Sequence, residues 1–113
     1  MVSIATFRKL ASSFDEVEEA PHFEKTSFRV KKKIFATLDI KNQRACLKFS
    51  LVDQSAFSAF DKTVIYPVPG AWGKHGYTYV ELKKVRKETI VDALTTSYCE
   101  VAPKKLAAKY RRD

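Results

Sequence analysis

The chain opens with apolar side chains at Ile4, Phe7, Ala11 and Phe14, the three-to-four-residue spacing of one helix face, while Arg8 and Lys9 fall outside it. Ser3 stands where a capping hydroxyl is needed, so a helix is predicted from there to about Phe14. The pattern then stops. Asp15, Glu16, Glu18 and Glu19 form an acidic patch, and Pro21 disfavours helix in the residue before it; the stretch reads as a loop entering a strand. From Thr26 to Ser50 the period shortens to two. Phe28 and Val30 flank Arg29, Ile34, Ala36 and Leu38 alternate with Phe35 and Thr37, and Ala45, Leu47 and Phe49 alternate with Arg44, Cys46 and Lys48. Such alternation sends successive side chains to opposite faces of a sheet, which predicts three strands. Lys31, Lys32 and Lys33 occupy the first turn between them, and Lys41, Asn42 and Gln43 the second. Arg29, Arg44 and Lys48 share one sheet face if the registers match.

A short helix is predicted from Asp53, a suitable N-cap, to Phe60, with Ala56, Phe57 and Phe60 as its apolar stripe. Thr63 to Val68, closed by Pro67 and Pro69, reads as a strand, and Tyr77 to Leu82 as the next. The glycine-rich segment between them, Gly70 to Gly76, reads as a flexible hairpin loop. Lys83, Lys84, Arg86 and Lys87 lead into a helix whose stripe is Ile90, Val91, Leu94, Tyr98 and Val101. Pro103 breaks it and suits the first turn of a final helix carrying Leu106 and Tyr110. Helix, antiparallel sheet interrupted by one helix, and C-terminal helices define an α+β fold of two packed layers. With 113 residues, one domain spanning residues 1–113 is expected, burying roughly two-thirds of its unfolded surface.

Composition adds a location and a charge. No apolar run approaches the roughly 20 residues of a membrane span, and no signal-peptide core is visible at the N-terminus, so the expected location is the cytoplasm without membrane association. Cys46 and Cys99 lie among apolar neighbours with no CxxC spacing, which favours buried free thiols over zinc ligands; a redox pair is the alternative. The formal net charge is +8, and it is unevenly placed. Residues 1–24 carry −3, residues 88–113 carry +1, and residues 25–87, with fourteen basic against four acidic side chains, carry +10. A basic field of this kind concentrates polyanions, nucleic acid above all; the plainer reading is a solvated face that keeps the protein soluble.

Catalytic chemistry is hard to find. His22 and His75 lie far apart, neither with a Ser, Cys or carboxylate at a spacing that marks a nucleophile or metal site, so no enzyme and no cofactor are expected. Gly70, Gly73 and Gly76 with Lys74 superficially suggest a phosphate cradle. A Walker loop, however, needs four residues before its Gly-Lys-Ser/Thr, and here two intervene and His75 follows the lysine. A dinucleotide loop opens a helix, whereas this one runs into the Tyr77 strand. What the loop does offer is Trp72 beside Lys74 and His75. That tip could stack on a base or enter a minor groove, or Trp72 could fold back on Tyr77 or Tyr79 as a cap.

Several short segments in fixed order carry a resemblance: Glu18-Glu19, Phe28-Arg29-Val30 before Lys33-Ile34-Phe35-Ala36, Gly76-Tyr77-Thr78-Tyr79-Val80-Glu81-Leu82, and Tyr98 shortly before Ala102-Pro103. Together they resemble the MmcQ/YjbR proteins over nearly the whole chain, with Tyr77 standing where that family often has Trp. The resemblance implies a CyaY-like, frataxin-related sandwich, described in the family as a double-wing DNA-binding fold. Its wings would fall at the Lys31 to Lys33 turn and the Trp72 to His75 loop. Arg29, Arg44, Lys48, Lys83, Lys84, Arg86 and Lys87 would then serve backbone phosphates. The expected partner is DNA and the expected state a monomer. Two other readings stay open: a frataxin-like metal-binding protein using Asp15, Glu16, Glu18 and Glu19, whose hard oxygens suit divalent ions, and an adaptor for an acidic partner.

Overall fold

The computed structural model describes residues 1–111. Its elements are α1 (Ile4–Ser12), β1 (Val17–His22), β2 (Lys25–Val30), β3 (Lys33–Asp39), β4 (Arg44–Lys48), α2 (Leu51–Ser58), β5 (Ile65–Pro67), α3 (Ala71–Lys74), β6 (Tyr77–Glu81), α4 (Lys87–Val101) and α5 (Lys104–Ala107). All six strands join one antiparallel sheet in the order β1-β2-β3-β4-β6-β5. The α+β expectation is met. Among the described residues no helix is long and apolar enough to cross a membrane.

The core lies between one face of this sheet and the helices. Leu38, Ala45, Val80 and Ile65 are paired across β3, β4, β6 and β5, and all four are buried. Against that face lie Phe7 and Ala11 of α1, Ile90, Leu94 and Tyr98 of α4, and Ala107 of α5. Burying each large side chain contributes about 1.5–3 kcal/mol. Ser97 fastens α4 to the sheet: its hydroxyl donates to the Phe35 carbonyl at 2.6 Å and accepts from the Lys48 amide at 3.0 Å. A bulge lets β3 bury two successive residues. Phe28 pairs with Ala36 but Arg29 pairs with Ile34, so Phe35 is the extra residue and turns its ring onto Tyr98.

Several elements differ from the sequence pattern. Residues 17–22, expected as a loop, form edge strand β1, which tolerates Pro21 because an edge strand need not use every amide in pairing. Helix α2 starts earlier than Asp53. Ser50 is the N-cap, accepting from the Asp53 amide at 3.1 Å and donating to the Asp53 carboxylate at 3.0 Å. Its buried residues are Gln54 and Ser58, Phe57 is half-buried and stacked on Phe49, and Phe60 is exposed. The glycine segment is not wholly loop, since residues 71–74 make the single turn α3. Pro103 is the N-cap of α5 rather than a residue of its first turn. Ser3 caps α1 as expected, accepting from the Thr6 amide at 3.1 Å.

Candidate nucleic-acid interface

The second sheet face carries no long helix. Register places Ala20, Ser27, Thr37, Cys46, Tyr79 and Tyr66 in one row across all six strands, opposite in sense to the buried row. Arg29, Arg44 and Lys48 lie on this uncovered face, as the alternation required, because each is two residues from a member of the row. Their chemistry differs. The Arg29 Nε donates to Ser27 at 3.0 Å and its residue pairs in register with Glu18. Arg44 lies 4.0 Å over the Tyr79 ring, while Glu81, its register partner, accepts from the Tyr66 hydroxyl. Lys48 is committed to the fold: its ammonium donates to the carbonyls of His75 and Phe49.

The other expected cations are not in one place. Val30 and Lys33 flank the β2–β3 tip, at the same end of the sheet as the Lys48 end of β4 and the Tyr77 start of β6. Trp72, Lys74 and His75, all exposed, sit at this end too. Lys83, Lys84, Arg86 and Lys87 follow the far end of β6, about 13 Å away at 3.3 Å per strand residue. A single footprint holding all of them does not form.

What does form is a cluster that the charge count concealed. Helix α4 starts beyond the end of β6 and runs back along the sheet, so its C-terminus arrives at the β2–β3 tip. There Pro103 turns the chain into α5. A cleft of about 490 Å³ opens between tip and corner, lined by Lys31, Lys33, Lys104 and Arg111 with Glu100 as its carboxylate. Lys31 is tied to Glu16 at 2.6 Å. The helix C-terminus beside these cations presents the negative end of its dipole, which helps offset their mutual repulsion. Lys31 and Lys32 both have left-handed backbone, φ 50° and 68°. A two-residue hairpin loop demands that conformation and glycine or asparagine meets it at least cost; here lysine occupies both positions. Lys104 and Arg111 belong to a C-terminal segment of nearly balanced charge, and only the return path of α4 brings them to the tip.

A second, smaller cleft of about 290 Å³ lies on the uncovered face. Lys25, Thr37, Cys46, Trp72, Tyr77 and Tyr79 line it with His22 and Val68. Trp72 packs edge-on against Tyr77 at 5.3 Å between ring centroids yet stays 64% exposed, so the cap and the presented aromatic are the same arrangement. Both thiols are free. Cys46 opens onto this face and Cys99 lies in α4 across the sheet, and burial pushes the pKa of each up, away from nucleophilic thiolate.

The acidic patch does not converge. Asp15 meets Lys109 at 3.0 Å, Glu16 meets Lys31, and Glu19 meets Arg8 at 2.7 Å. The Lys109 hydrogen bond holds the Asp15 carboxyl below its usual range. Among the described residues no three His, Cys, Asp or Glu side chains form a group that could hold a metal ion.

These features define an α+β protein with the long helices on one sheet face, a half-buried opposite face that no long helix covers, and a cationic corner. The YjbR family model matches residues 12–100, and the chain belongs to that family. The match includes the lysine tip and ends before α5. The fold is similar to that of Deinococcus radiodurans protein DR2400, a crystal structure with a DUF419 domain, at TM-score 0.80 and 22% identity over 97% of this chain and 88% of that one. No curated protein matches in sequence.

Proposed function

We propose that this YjbR-family chain is a non-catalytic DNA-binding protein that grips backbone phosphates in the cationic cleft between the β2–β3 tip and the α4–α5 corner. The observation that carries this reading is the meeting of Lys31, Lys33, Lys104 and Arg111 around one cleft with a single carboxylate among the lining charges. Two residues of left-handed backbone occupied by lysine add to it, because a tip selected for stability alone would favour Asn-Gly. The metal-binding alternative loses support, since three of its four carboxylates are already matched to separate cations.

Phosphate contact releases counterions, so binding falls with salt by about 0.9 log units per log unit of salt for each contact. Fluorescence anisotropy with a labelled duplex at low and moderate salt measures that slope. Substituting Lys33, Lys104 and Arg111 together by alanine is expected to flatten it by roughly 2–3. Absence of binding at low salt, or an unchanged slope in the triple variant, refutes the reading.

A further inference from the structure

We infer that the cleft on the uncovered sheet face takes an unpaired base of a single-stranded nucleic acid, stacked on Trp72. The inference rests on the DNA-binding reading and deepens it by naming the form of strand that is recognised. Its basis is the lining. Three aromatic residues, Trp72, Tyr77 and Tyr79, line the cleft together with Lys25 and Thr37, and no carboxylate residue lines it. An occupant complementary to these groups is planar, aromatic and linked to negative charge. A volume of about 290 Å³ admits one such ring system with part of its sugar.

The surroundings support the same occupant. Phe23, in the turn between β1 and β2, is 94% exposed and held at φ 58°, an uncommon conformation for a bulky side chain, with its ring against His22 at 4.8 Å. His22 also lines the cleft. The face is therefore flanked by two exposed aromatic side chains, Phe23 on one hairpin and Trp72 on α3, with no long helix between them. Arg44, 4.0 Å over the Tyr79 ring, extends the row with a further planar cation. In a duplex the faces of the bases are already stacked on one another, whereas a single strand offers them freely, and base–aromatic stacking contributes about 1–3 kcal/mol per base. Trp72 also has a structural hold that fixes its position. The Gln54 amide, buried, donates to the Gly73 carbonyl at 3.0 Å and to Tyr77 and Thr78, tying α3 to β6.

Trp72 is the only tryptophan of the chain, so its emission reports the cleft directly. The protein is titrated with a short oligothymidine and, separately, with a blunt duplex of equal phosphate count. The oligothymidine is expected to quench Trp72 emission and to bind about tenfold or more tightly than the duplex. In Trp72→Ala, read by anisotropy, single-strand affinity is expected to fall about 5- to 150-fold, with Trp72→Phe retaining most of it and duplex affinity unchanged. Equal binding of both forms with unmoved Trp72 emission overturns the inference and leaves the phosphate reading standing; failure of both forms to bind overturns both.

Discussion

Replacing Gly76 by alanine tests how β4 and β6 are joined beneath the aromatic face. Gly76 has φ +97°, and a Cβ built there lies 1.9 Å from the Phe49 carbonyl oxygen, far inside contact distance with a backbone atom that cannot swing away. The same two residues share a hydrogen bond from the Phe49 amide to the Gly76 carbonyl at 3.0 Å. Relief of the overlap must part the strands here. The left-handed backbone costs about 1–2 kcal/mol for a residue with a Cβ. Loss of the interstrand bond, leaving buried groups unpaired, adds about 1–3 kcal/mol. A total near 4 kcal/mol is a large share of the roughly 5–15 kcal/mol that holds a domain together. For a chain of this length it lowers Tm by about 15 °C. Gly70→Ala is the comparison: its φ is also positive, +81°, but its Cβ would meet open space, so only the conformational part, about 1–3 kcal/mol, is lost. Urea unfolding of both variants measures the difference. A Gly76→Ala no less stable than Gly70→Ala would refute the close-approach argument.

Two further outcomes follow from buried and committed side chains. The Tyr98 hydroxyl is fully buried and donates to the Asp15 carbonyl at 2.7 Å, and burial pushes its pKa from 10.0 up to about 12. Its contribution to stability is present below pH 10 and is lost as the pH climbs toward 12. Tyr98→Phe should therefore cost about 1–2 kcal/mol at neutral pH, and urea midpoints should show the gap from the parent narrowing in strong alkali; a constant gap contradicts the assignment. Lys48→Met removes the donor to two carbonyls and should destabilise by about 1–2 kcal/mol, whereas Lys83→Met, on an exposed turn, should stay within about 0.5 kcal/mol. Equal thermal shifts for the two would show that Lys48 is not committed to the fold.

Much of the architecture was legible because local signals agreed with tertiary ones. The alternation from Phe28 to Phe49 gave three strands and correctly set Arg29, Arg44 and Lys48 on one face. Strand β1 was hidden because it pairs on one side only, and its burial follows no clean period of two. Helix α2 misled for a different reason: its inward side chains are polar, Gln54, whose burial the Gly73 and Tyr77 carbonyls make tolerable, and Ser58, whose buried hydroxyl has no hydrogen-bond partner among the described residues. The glycines resembled a phosphate loop but serve close backbone contacts, Gly73 against Val68 and Gly76 against Phe49. For the site, segmental charge was a poor guide. It gave equal weight to Lys83 through Lys87, which the strand direction carries to the far end, and little to Lys104 and Arg111, which α4 returns to the lysine tip. No local pattern encodes that return; it is a consequence of helix length and sheet packing.

Amide chemical shifts followed while a short DNA duplex is added test the cationic corner most directly. The largest changes are expected at Lys31 to Lys33, around Lys104 and at Arg111, fading as salt is raised. Changes centred on Lys83 to Lys87, or none at any salt, would contradict that placement.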